Sequence, residues 1–145
     1  MLAAEPLIVA RLEAKLAALN PVPRVFTAPD LAGVAEEQQV TPAVYVVYGG
    51  PRIGQVLAEG AIVELDEVWH TVVVVRNLRA VRSGEAARED ASAILQVVFG
   101  ALSGWKPSAD LRKLRPINPP RAGYSKGYGY YPLSWTIKQQ MRGEP

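Results

Sequence analysis

Two hydrophobic periods alternate along the chain. Ile8, Leu12, Leu16 and Leu19 recur at helical spacing, and Arg11, Glu13 and Lys15 fall off that stripe. This predicts an amphipathic helix over residues 4–19, stopped by Asn20-Pro21. A second helical stripe, Ala91, Ile94, Leu95, Val98 and Leu102, predicts a helix over residues 84–102. Its acids Glu85, Glu89 and Asp90 lie toward the positive N-terminal end, and Ser103-Gly104 ends it.

Between the helices the period changes to two. Residues 22–26 read as a short extended piece, which Pro21 and Pro23 place at a sheet edge. Thr27-Ala-Pro-Asp30 reads as a helix start with Thr27 as the cap, followed by a turn through Leu31, Val34 and Ala35. Residues 42–48, Pro-Ala-Val-Tyr-Val-Val-Tyr, are apolar on both faces and form the clearest buried strand. Gly49-Gly-Pro-Arg-Ile-Gly54 then reads as a loop or hairpin tip. Strands over residues 55–64 and 68–76 follow around Leu65-Asp66-Glu67, with Glu59-Gly60 an equally good turn. In the second of these strands Trp69, Thr71, Val73 and Val75 share one face, and His70, Val72, Val74 and Arg76 the other.

After the second helix, residues 108–120 look irregular. Residues 121–131 hold Tyr124, Tyr128, Tyr130 and Tyr131 among glycines and bases. A last strand runs to about residue 140, with Leu133, Trp135 and Ile137 on one side and Ser134, Thr136 and Lys138 on the other. Residues 142–145 read as a frayed end. The order predicts an α+β fold in one domain, residues 1–145. Two helices pack on one face of a mostly antiparallel sheet of about four strands, with an extended hairpin (residues 50–68) and a C-terminal arm.

Composition narrows the chemistry. The chain has 145 residues, long enough for one real core. It has no cysteine, which excludes disulfides, thiolate nucleophiles and Cys-based zinc sites. No basic leader and no apolar run of ~18 residues is present, so neither a signal peptide nor a membrane span is expected, and the protein is read as soluble. The net charge of +2 conceals a division: residues 1–100 carry 8 bases and 12 acids, residues 101–145 carry 8 bases and 2 acids. A basic end of this kind suits an anionic partner, either an acidic protein surface or nucleic acid.

Nothing assembles into a catalytic set. His70, the single histidine, sits in a strand without a Ser or Asp in a recognisable arrangement. The acids at 64–67 and at 85–90 read as a solvated turn and a solvated helix face. Residues 49–54 lack the Gly-Lys-Ser/Thr ending of a phosphate-binding loop. Arg76, Arg79 and Arg82 read as bases pairing locally with the acids of residues 85–90, and Trp105 as core. We expect no enzyme activity, no metal and no cofactor. The candidate contact residues are Arg52 and Ile53 at the hairpin, with Arg121, Tyr124, Lys126, Tyr128, Tyr130 and Tyr131 in the arm. Tyrosine and arginine are enriched in protein interfaces. The rival reading is a small nucleic-acid-binding module that stacks bases on the same tyrosines.

The whole pattern resembles a family. The segments that carry the resemblance are residues 42–48, then Trp-His-Thr-Val-Val-Val-Val-Arg-Asn (69–77) and Gly-Glu-Ala-Ala-Arg-Glu-Asp (84–90). Ala-Leu-Ser-Gly-Trp (101–105), Pro-Arg-Ala-Gly-Tyr (120–124) and a closing Tyr-Pro-Leu strand complete it. Their order and spacing, more than any single motif, are similar to phage tail terminator-like proteins of tailed bacteriophages and prophages, Mu-like tail proteins included. The resemblance covers nearly the whole chain. It implies a virion structural protein that forms a ring, commonly a hexamer. Such a ring caps the tail tube, ends tail polymerisation and offers the head–tail joining surface. The implied partners are further copies of itself, the tail tube protein and the head–tail connector. The implied location is the virion tail, reached from the host bacterial cytoplasm during assembly. No catalytic residue carries over.

Overall fold

A computed structural model describes residues 2–36, 40–76 and 85–144. Elements follow in the order α1 (Ala4–Leu16), β1 (Arg24–Ala28), α2 (Leu31–Glu36), β2 (Ala43–Leu57) and a single 3₁₀ turn (Ala58–Gly60). Then come β3 (Ile62–Arg76), α3 (Glu85–Leu102), β4 (Arg115–Ile117), β5 (Gly123–Ser125) and β6 (Tyr128–Arg142). The architecture is α+β, as expected, but the described residues form three helices and a six-stranded sheet, where two helices and about four strands were predicted.

The sheet order is β1-β2-β3-β6-β4, with β5 also on β6. Only β1 and β2 run parallel. Strands β2, β3 and β6 are each 15 residues long and pair antiparallel with one another in that order, and they form its spine. The short strands are decided by this spine. β4 and β5 have three residues each, too few to show a period, and they pair because long β6 presents an edge to them.

Alternation puts two cores on the two sheet faces. On one face Ile8, Leu12 and Leu16 of α1 and Ile94, Val98 and Leu102 of α3 meet Val44, Val46, Trp69, Val73, Trp135 and Ile137. The two predicted helices therefore do share a face. On the opposite face Val34 of α2 joins Ala43, Tyr45, Val47, Val72 and Val74. The predicted split of β3 into two faces matches these clusters.

Three local expectations need correction. Thr27 lies in β1, and the cap of α2 is Asp30, whose Oδ1 accepts a hydrogen bond from Gly33 N at 2.6 Å. Residues 65–67 are not a turn but the middle of β3, and residues 49–54 are not a tip but part of β2. The hairpin turns at residues 58–60, where Ala58, Glu59 and Gly60 all have positive φ. The glycine at 49 serves close packing: a Cβ there would lie 2.7 Å from His70 Nε2 and 2.9 Å from Val68 Cγ1. The expected pairing of Arg79 and Arg82 with the acids at 85–90 lies outside the described residues.

Candidate functional site

Each long strand changes character along its length. β2 is buried through Val47, and every residue from Pro51 to Gly60 is exposed. Both faces of β2 are therefore uncovered there. β1 pairs only with residues 43–47, β4 only with 134–136 and β5 only with 128–130. Beyond these rows, β2, β3 and β6 form a three-stranded blade with two free edges. The expected long hairpin is two thirds of it, and β6 supplies the third strand.

Register places the blade side chains. Ile53 pairs with Leu65 and Leu65 with Gln139; Val56 pairs with Val63 and Val63 with Met141. These six lie on the sheet face that carries α1 and α3, and none is charged. Ile53 is 65 % exposed and Val56 52 %. The other face holds Arg52, Asp66 and Lys138 in one row, with Glu64 and Gln140 beside them. Two bulges, at Tyr48/Gly50 and Ile53/Val56, interrupt β2 while β3 and β6 pair without a break.

A buried acid stands at the root of the blade. Glu67 is fully buried, opposite Pro51 and Ile137. Tyr48 donates a long hydrogen bond, 3.3 Å, to its Oε1. Its Oε2, and Nε1 of neighbouring Trp69, are buried without a protein partner among the described residues. Burial is the main cause that pushes the Glu67 carboxyl above its ordinary pKa. On the reverse face His70 Nδ1 and Ser134 Oγ share a 2.7 Å hydrogen bond. Burial, then the Arg52 charge, pulls the imidazole pKa below its ordinary value. This pair is packed inside the sheet, with Nε2 against Gly49. Among the described residues no group of three His, Cys, Asp or Glu is placed to hold a metal.

The tyrosine segment is a hairpin, where an arm was expected. Gly123–Ser125 pairs with residues 128–130 across a Lys126-Gly127 turn, both at positive φ. Tyr128 and Tyr130 pack against the α2-side cluster, and Arg76 lies over the Tyr128 ring. Tyr131 is 8 % exposed, edge-on to Tyr124 at 5.9 Å, and its hydroxyl donates to Tyr124 Oη at 3.1 Å. A Cβ at Gly129 would lie 2.8 Å from the Tyr131 ring. Of the candidate contact residues, then, Arg52 and Ile53 lie on the blade, on its two opposite faces. Arg121, Tyr124 and Lys126 are exposed on the hairpin. Tyr128, Tyr130 and Tyr131 belong largely to the protomer's own packing. Residues 128–131 belong to β6, so only residues 121–127 of the segment lie outside that strand. Val56, Leu57 and Met141 were missed; for Met141 the two-residue period running on from Trp135 and Ile137 was the signal.

Comparison with known proteins follows the same line. A search of the curated proteins finds no match. Among solved structures, a chain described as belonging to the "Virion of native gene transfer agent (GTA) particle" is 15 % identical. The match covers 95 % of this chain and 98 % of that one, at a TM-score of 0.47, too distant to carry an argument. The model of the family described as "Phage tail terminator protein" matches residues 1–145, the full length of the chain. The chain therefore belongs to the phage tail terminator family and is a structural protein of the virion tail.

Proposed function

We propose that this chain closes into a ring on the end of the tail tube, ends tube polymerisation and presents the surface on which the head connector docks. The observation that carries the reading is the blade. A three-stranded sheet that leaves its helical cover and exposes Ile53, Val56 and Met141 has contact area to offer and no pocket to form. A ring needs two different surfaces on each subunit, and the blade and the tyrosine hairpin lie in separate parts of the sheet. The proposed partners are further copies of the chain, the tube protein and the connector; the number of copies follows from the closure angle, with six the family expectation.

The function is mechanical, with no bond made or broken. His70 is bound to Ser134 inside the sheet, and Glu67 lies on the other face, so the two titratable groups do not share a cleft. The test adds purified protein to polymerising tail tube protein. Tubes should stop growing and carry a ring at one end in electron micrographs. Tubes of unaltered length with bare ends would overturn the proposal.

A further inference from the structure

α3 is unusual for a helix on a protein surface. Residues 91–104 contain no charged side chain, yet Ser92, Ala93, Gln96, Phe99 and Gly100 are exposed and form one stripe. Surface helices normally place charge on their outer face, as α1 does with Glu13 and Lys15. Charge is depleted where a surface becomes the core of an interface. The Phe99 ring rests against that of buried Trp135, 5.7 Å between centroids, and is still 46 % exposed. Gly100 adds a second sign. A Cβ there would meet nothing within 4 Å, so no internal neighbour requires glycine, although glycine weakens a helix by ~1 kcal/mol relative to alanine. The space beside Phe99 is open to solvent.

Among the described residues the helix-side face of the blade is also uncharged, with Ile53, Val56 and Met141 exposed and Val63 half-exposed. An apolar strand face is completed by a helix laid across it. We propose that in the ring the outer face of α3 of one copy docks on the blade of the next, with Phe99 against Ile53, Val56 and Met141; this rests on the ring reading above. The two patches differ, so the contact is heterologous and repeats around a ring. Pairing α3 with α3 would close a dimer and leave the blade bare.

The chain's lack of cysteine makes the test direct. Phe99→Cys is combined with Ile53→Cys in one full-length variant and with Met141→Cys in another. Each is treated with a short bis-maleimide, at high protein concentration and on tail tubes. A ladder of covalent oligomers up to the ring number is expected, and a mixture of the single variants should give only heterodimers. Rings in the micrographs without a ladder from either pair would overturn the docking and leave the ring reading intact. Dimers from Phe99→Cys alone would show α3 pairing with itself and also overturn it. No rings under either condition would remove both readings. Gly100→Lys, which fits the open space, should lower ring yield at least about tenfold without lowering the melting temperature; unchanged yield would count against the docking.

Discussion

The same three strands do opposite work at their two ends. At the body end, residues 43–47 of β2, 69–75 of β3 and 131–137 of β6 are almost wholly buried, between α1 and α3 on one face and the Val34–Tyr45–Val72 cluster on the other. At the blade end β2 becomes entirely exposed, and β3 and β6 lose part of their cover. β2 opens just past Gly50, whereas β3 and β6 open only past Leu65 and Ile137, both still buried. Body positions should therefore govern folding and blade positions assembly, with little overlap.

The largest expected effect is in the body. Trp135→Ala removes a fully buried ring whose Nε1 donates to Thr71 Oγ1 at 3.1 Å. It should cost about 3–5 kcal/mol of unfolding free energy by denaturant titration. The matching blade change, Ile53→Asp with Val56→Asp, should alter that free energy by no more than ~0.5 kcal/mol per site. A comparable loss from both would erase the distinction. Next comes the junction. Gly49→Ala forces a Cβ against His70 Nε2 and Val68, and should cost about 1–3 kcal/mol; a neutral result would mean that the blade root yields easily.

Two titrating groups at the root sharpen the comparison further. His70 has a lowered folded pKa, so its contribution is fully present above its unfolded value near 6.5 and is lost as pH falls toward the folded value. Glu67 has a raised folded pKa, so its contribution is complete below its unfolded value near 4.5 and is lost as pH rises through the folded value. Glu67→Gln should therefore raise the melting temperature relative to the parent at neutral pH, and the gap should close in acid. A gap independent of pH would show that ionisation of Glu67 is not the cause. A smaller effect than at Gly49 is expected at the hairpin. Tyr124→Phe removes the acceptor of the Tyr131 hydroxyl and should cost about 0.5–1.5 kcal/mol, read as a small shift in melting temperature.

The body was largely legible in the sequence; of the blade, the hairpin over residues 50–68 was read, and its strand pairing with β6 was not. Ile8, Leu12 and Leu16 announce α1 because helical burial repeats every three to four residues. Trp69, Val73 and Val75 separate from Val72 and Val74 because strands alternate. These are local rules. The blade depends on register between strands distant in sequence, which no local period reports. Gly49, Gly50 and Pro51 read as a turn because glycine and proline usually mark one, yet Gly49 is there to let His70 approach. Asp66 and Glu67 read as a solvated turn; Asp66 does lie on the blade's charged face, but Glu67 faces the core. The tyrosines were singled out as a contact surface, yet Tyr131 is held inside by its pairing with Val73. Phe99 went unremarked because a partly exposed ring is common, and only the uncharged stripe around it singles it out.

The division between body and blade is tested most directly by tube length. Tail tube protein would be polymerised with the parent chain and with the Ile53→Asp/Val56→Asp variant, both checked for unaltered unfolding, and tube lengths measured by electron microscopy. Short, ring-ended tubes with the parent and overlong, bare-ended tubes with the variant are the expected result. Equal capping by both would contradict the account.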